Sequence, residues 1–165
     1  MRITLKNIKH SAFASQGTLC YEASLYFDGK KVGTVSNGGH GGCDDVYYLD
    51  RRDEGAVEAY IKTLPQRTHE SESDGHPVKI SGDTTLETVC GELVNDWLVS
   101  KDLKAILRKK VLALKDDGKL YTYKVIEPDK ERVTRSAERV AKFENTVKVL
   151  NLLPFDEALK LYKEH

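Results

Sequence analysis

Leu19, Tyr21, Ala23, Leu25 and Phe27 occupy every second position of the stretch "TLCYEASLYFD", and the pair Asp28-Gly29 closes it. A period of two places these five residues on one face of a β-strand, and Asp-Gly accepts the positive φ angles of a tight hairpin turn. The segment "KVGTVS" at 31–36 then returns as the partner strand. Upstream, "MRITLKNIKH" carries Ile3, Leu5 and Ile8 in a roughly alternating pattern. The chain is therefore predicted to begin as a three-stranded antiparallel sheet ending at a glycine-rich segment.

Helical spacing follows. Val57, Tyr60, Ile61 and Leu64 predict a helix over 53–64, stopped by Pro65 and lying across the sheet. Thr84 and Glu87 form a capping-box pattern, after which Leu86, Val89, Cys90, Leu93, Val94, Trp97 and Leu98 recur at helical intervals and bury Cys90 with Trp97. A shorter helix over 100–110 turns Leu103, Ile106 and Leu107 inward, with basic residues in its last turn. A second hairpin near 111–126 turns at Asp116-Asp117-Gly118, and a polar helix covers 132–144. A short apolar strand, Pro154 and a helix with Phe155, Leu159 and Tyr162 on one side complete the pattern. Between the first two helices, residues 66–83 have little apolar content and read as a mobile polar loop.

The expected fold class is α+β: an antiparallel sheet from the N-terminal strands, a second hairpin near 111–126, and about four helices. At 165 residues the chain suits a single domain over 1–165, divisible into sub-lobes 1–64 and 84–165 joined by the polar loop 65–83. No run of about 18 apolar residues occurs, and the N-terminus alternates where a signal peptide needs a continuous apolar stretch, so a cytoplasmic location is expected. Cys20, Cys43 and Cys90 form no CxxC pair, which speaks against a disulfide framework. Formal net charge is zero, so no overall field draws the chain to nucleic acid or membrane. Locally the balance differs: residues 44–74 hold nine acidic and four basic residues, whereas 101–124 hold eight basic and three acidic.

The segment "SNGGHGGCDD" at 36–45 is the first candidate for chemistry. It lacks the lysine and hydroxyl of a phosphate-binding P-loop and fails the GxGxxG pattern, and Asp44 and Asp45 would repel a phosphate. One HxxC without a second pair makes no zinc motif, even with His10, His69 or His76 as distant partners, so neither a metal nor another cofactor is assigned. Cys43 with His40 has the residue types of a thiol nucleophile and its base, with glycine amides as an oxyanion hole. As a turn, the segment needs one or two glycines and has four. The excess costs about 0.5–1 kcal/mol per residue and is easier to explain where backbone must approach a ligand or partner. The residues of such a contact surface are Asn37, Gly38, Gly39, His40, Gly41, Gly42, Asp44 and Asp45. The second candidate is the basic helix end, Lys101, Lys104, Arg108, Lys109 and Lys110, which could follow a phosphate backbone with Tyr121 and Tyr123 as stacking faces.

The segments "ITLKNIKHSAFAS", "FDGKKVGTVSNGGHGG" and "LNLLPFDEALKLYK" resemble a family of small proteins carried by bacteriophages and other mobile elements. The likeness covers both ends of the chain, thins out over 51–98 and brings no catalytic residues with it. It implies an accessory role: binding a host protein, a nucleic acid or a signalling nucleotide, including as a counter-defence factor. The leading expectation is a non-enzymatic binding protein whose 37–45 loop engages a host protein or small anionic ligand beside a sheet edge. The alternatives are a small hydrolase or transferase using Cys43 and His40, and nucleic-acid binding through Lys104, Arg108, Lys109 and Lys110.

Overall fold

The computed structural model describes residues 2–73 and 76–165, with side chains described outside 69–80. The fold is α+β, as expected. In chain order it runs β1 (Ile3–His10), β2 (Tyr21–Phe27), β3 (Lys30–Asn37), β4 (Asp45–Tyr48), α1 (Arg51–Ile61), β5 (Arg67–Ser73), β6 (His76–Gly82), α2 (Leu86–Leu107), β7 (Lys110–Lys115), β8 (Leu120–Lys124), α3 (Lys130–Val140), β9 (Thr146–Val149), a 3-10 turn (Leu150–Leu152) and α4 (Phe155–Glu164). Backbone contacts divide it into two compact units, Met1–Asn95 and Asp96–His165, with the boundary inside α2.

Unit 1 is built on a four-stranded antiparallel sheet in the order β1-β2-β3-β4. Asp28 (φ 47°) and Gly29 (φ 82°) both adopt positive φ between the paired Phe27 and Lys30, the geometry that matches strand twist in a two-residue hairpin. The period-two series places Tyr21, Ala23 and Leu25 in the core, across from Asn37, Val35 and Gly33. Val32 is an extra residue in β3, since Leu25 pairs with Gly33 while Tyr26 pairs with Lys31. Gly33 is required for the next strand: a β-carbon there would stand 2.3 Å from the Tyr47 carbonyl oxygen. The three-stranded expectation is thus short by β4, which pairs Asp45, Val46, Tyr47 and Tyr48 with Ser36, Val35, Thr34 and Gly33.

Helix α1 starts two residues earlier than predicted because Asp50 caps it, accepting from the Arg52 backbone N–H at 2.8 Å. Asp53 and Glu54 favour the same end through the helix dipole, and Val57 and Ile61 bury its apolar side. The expected loop over 66–83 is instead a hairpin in which Arg67 pairs with Gly82 and Ser73 with His76. Its polar sequence suits a two-stranded ribbon satisfied by backbone pairing, with Thr68 and Ser81 hydroxyls 3.1 Å apart.

The α2 cap is one residue later than predicted. Thr85 and Thr88 exchange bonds, the Thr88 N–H donating to Thr85 Oγ1 at 3.2 Å and the Thr85 N–H to Thr88 Oγ1 at 3.0 Å. Thr84 is buried and donates to the Pro65 carbonyl at 2.6 Å. Nor does the helix stop near residue 98: the two predicted helices are one, Leu86–Leu107, because no Gly or Pro interrupts 92–107. Cys90 and Val94 are fully buried, whereas Trp97 is only half-buried, with Lys101 Nζ 4.9 Å from its ring centre.

Unit 2 has β7 as the middle strand of a three-stranded sheet ordered β8-β7-β9. Val111 and Ala113 face Val133, Ala137 and Val140 of α3. Leu112 faces Leu103, Leu150 and Ala158. A strand covered on both sides explains the unbroken apolar run "VLAL". Asp129 caps α3 by accepting from the Arg132 backbone N–H at 2.8 Å, so that helix is Lys130–Val140 rather than 132–144. Lys115, 5% exposed, ends β7 with its ammonium donating to Asn145 Oδ1 (2.6 Å) and Thr146 Oγ1 (3.0 Å) beside the Tyr123 and Phe143 rings. No described helix is long and apolar enough to cross a membrane.

Candidate functional site

The glycine-rich loop joins β3 to β4, and its two sides behave differently. Its inward side is tied to the β1–β2 connection. The Gly39 carbonyl accepts from the Gln16 and Gly17 backbone N–H groups at 2.8 and 2.9 Å. Gly39 is buried at φ +85°, and a β-carbon there would lie 2.1 Å from the Ala14 carbonyl oxygen and 2.8 Å from Cys20 Cβ. Gly41 has φ +87° with open space around it.

Asn37 is the hub of this arrangement. Its Oδ1 accepts from Thr18 Oγ1 (2.6 Å) and from the Gly39 N–H (2.9 Å). Its Nδ2 donates to the Gly42 carbonyl and to Asp44 Oδ1, both at 3.0 Å. The other Asp44 oxygen accepts from the Tyr21 hydroxyl. Burial and this bond to a carboxylate raise the Tyr21 pKa well above the ordinary phenol range. A hydrogen-bond network of this kind, centred on the buried Asn37, fixes one loop conformation. Sequence reasoning missed Thr18 and Tyr21 as members. Tyr21 carries a signal only in the apolar series, and Thr18 lies 19 residues from the amide it serves.

The outward side is open to solvent, although the Gly42 carbonyl and the Gly41 N–H are bonded to Asn37 and Thr18. Gly38, His40, Gly41, Gly42, Cys43 and Asp45 are exposed. Among the described residues no hydrogen bond joins Cys43 to His40, and no group of three His, Cys, Asp or Glu side chains is placed to hold a metal ion. His10 Nε2 lies 3.4 Å from Ser15 Oγ, and the His69 and His76 side chains lie outside the described residues. Cys90 is the packed thiol expected from its helical stripe, with burial pushing its pKa up to about 12.

Beside the loop, β4 is a sheet edge: no described strand pairs with its second side. Leu49 N–H donates to the Val32 carbonyl at 2.9 Å, so by antiparallel alternation the backbone groups of Val46 and Tyr48 point away from β3. Tyr47 and Leu49 are 69% and 61% exposed, and Phe13, on the connection that grips Gly39, is 95% exposed. The Tyr48 side chain turns inward, and burial followed by the Glu54 charge raises its pKa to about 12.

The basic candidate lies in unit 2. Lys104, Arg108, Lys109 and Lys110 are exposed, with Lys104 Nζ 4.8 Å from the Phe155 ring centre. Of the proposed stacking faces, Tyr123 packs edge-on to Phe143, whereas Tyr121 is tied only through its hydroxyl, which donates to Asp117 Oδ2 at 2.8 Å, and stays 43% exposed. No family model, curated protein or solved structure matches this chain.

Proposed function

We propose that the chain is a non-enzymatic binding protein that captures a partner protein on unit 1, at the outward side of the 37–45 loop and the adjoining β4 edge. The observation that carries this reading is the division of the loop. Gly39, Asn37 and Asp44 are held by the molecule's own interior, while Gly38, His40, Gly41 and Gly42 face solvent next to an open strand edge. Exposed Tyr47 and Leu49 along that edge, with exposed Phe13 on the connection that holds Gly39, suit a protein surface, because aromatic side chains anchor such interfaces and an open edge can accept another strand. A small anion is the poorer fit: the Gly39 and Gly41 N–H groups already face Asn37 and Thr18, and Asp44 and Asp45 add negative charge. The resemblance to phage-borne proteins supplies a source for the partner, a host protein whose capture would serve the mobile element, as in counter-defence.

The test is affinity capture from bacterial extract with the tagged wild type, a Tyr47→Ser/Leu49→Ser variant and Cys43→Ala, identifying bound protein and small molecules. One protein retained by the wild type and Cys43→Ala but lost by the double variant is the expected result. Recovery of a small molecule alone, or of protein indifferent to the double variant, overturns the reading.

A further inference from the structure

A depression of about 450 Å³ opens in unit 2 between the end of α2, the start of α3 and the 3-10 turn leading to α4. Its accessible lining is apolar, with half-buried Leu107, Leu153 and Phe155 lying over the buried Leu150 and Val133. The polar residues around it divide sharply. Asn151 is spent inside the fold, its Oδ1 accepting from the Leu112 N–H at 2.9 Å and its Nδ2 donating to the carbonyls of Leu107 and Lys110 at 3.1 and 2.9 Å. Thr134 donates its hydroxyl to the Lys130 carbonyl at 2.9 Å. The remaining two, Arg108 and Lys130, have no side-chain hydrogen bond, ion pair or ring contact among the described residues.

We infer that this depression binds an amphipathic organic anion, its apolar body resting on Leu107, Leu153 and Phe155 and its carboxylate or phosphate held by Arg108 and Lys130. The volume falls in the range of small-molecule sites, which combine an apolar lining with a few polar groups that orient the ligand. The uncommitted groups here are both cations, so the orienting contact requires an anion. Among the described residues no carboxylate lines the depression, and on the flanking elements Glu131 pairs with Arg135, Glu157 pairs with Lys148 at 3.0 Å and Asp129 caps α3. Unit 2 as a whole carries sixteen Lys and Arg against twelve Asp and Glu, so its long-range field also favours an anion. An inorganic anion would use the rim alone and gain little, because exposed ion pairs contribute weakly in water. The apolar lining is what makes a longer molecule preferable.

The experiment is a titration of the full chain with decanoate, against hexanoate, 1-decanol and decyltrimethylammonium, followed by calorimetry and by methyl NMR of Leu107 and Leu153. Decanoate is expected to saturate one site and shift both residues' methyl signals, with affinity rising about fourfold per added methylene. Decanol is expected to bind at least fivefold more weakly and the cation not at all. Arg108→Gln and Lys130→Gln should each weaken decanoate about fivefold, while Arg108→Lys retains most of the affinity. Equal affinity for decanol and decanoate, undisturbed methyl signals, or a double Gln variant binding like the wild type overturns the site. So does displacement of decanoate by a ten-residue oligothymidylate with steep salt dependence, which gives the surface to nucleic acid, or binding confined to anionic vesicles.

Discussion

Replacing Gly39 with alanine is the sharpest probe of how the glycine loop is held. At φ +85° a β-carbon costs about 1–2 kcal/mol through its own backbone. It would also stand 2.1 Å from the Ala14 carbonyl oxygen and 2.8 Å from Cys20 Cβ, atoms that no rotamer change can withdraw. The β1–β2 connection would have to retreat, weakening the bonds from the Gln16 and Gly17 N–H groups to Gly39, worth about 1 kcal/mol each. The total is on the order of 3–4 kcal/mol, a fall of roughly 6–15 °C in Tm at about 2–4 °C per kcal/mol for a chain of this size. Gly41→Ala meets open space at φ +87° and should lose only about 1–2 kcal/mol, and Gly42→Ala, with open space and no positive φ, about 0.5 kcal/mol or less. Urea and thermal unfolding of the three variants, followed by far-ultraviolet circular dichroism, measures the order. If Gly39→Ala proves no less stable than Gly41→Ala, or Gly42→Ala falls as far, the account of an inward and an outward side is wrong.

Three further outcomes follow from the same structure. Iodoacetamide at pH 8 should label exposed Cys43 first, half-buried Cys20 more slowly and buried Cys90 only on unfolding; peptide mass spectrometry showing early Cys90 modification would contradict its packing. Tyr21 and Tyr48 have folded pKa values raised above the ordinary 10.0, so the folded state keeps phenolic protons that the unfolded chain releases; their contribution to stability should be fully present below pH 10 and be lost as pH rises from there, for Tyr48 up to about 12, adding to a loss that starts near pH 9.0 from the Cys90 thiol, raised in the same sense to about 12. Tyr48→Phe should flatten that loss in alkaline urea titrations, and an unchanged profile would refute the assignment. Thr85→Ala removes the reciprocal cap of α2 and should cost about 1 kcal/mol in urea unfolding, with Glu87→Gln nearly neutral; the reverse order would restore the Thr84–Glu87 box.

The elements legible in the sequence are those whose signal is local. The Tyr21–Phe27 alternation, the Asp28-Gly29 turn and the β7–β8 hairpin each follow from a handful of adjacent residues. What escaped depends on distance or on weak apolar contrast. The β5–β6 ribbon has few apolar residues, so no period-two apolar series marks its strands. The α2 cap moved one residue because Thr88 competes with Glu87 for the reciprocal bond, and both patterns are plausible on paper. At the site, the glycines themselves were visible as unusual. That Gly39 answers to Ala14 and Cys20, rather than to an outside molecule, depends on a contact between two connections that no spacing rule encodes.

Asn37 precedes Gly38, the pairing in which an asparagine side chain most readily closes on the following amide nitrogen and ages into aspartate or isoaspartate. Four hydrogen bonds hold its carboxamide in place, two through each polar atom, so the cyclisation geometry is out of reach while the loop stays folded. Once the loop opens long enough to react, the conversion would set a second carboxylate against Asp44 and remove the donor that Gly42 needs. The network that shapes this loop therefore also acts as its preservative, and chemical age in this molecule becomes a record of how often that one connection has come undone.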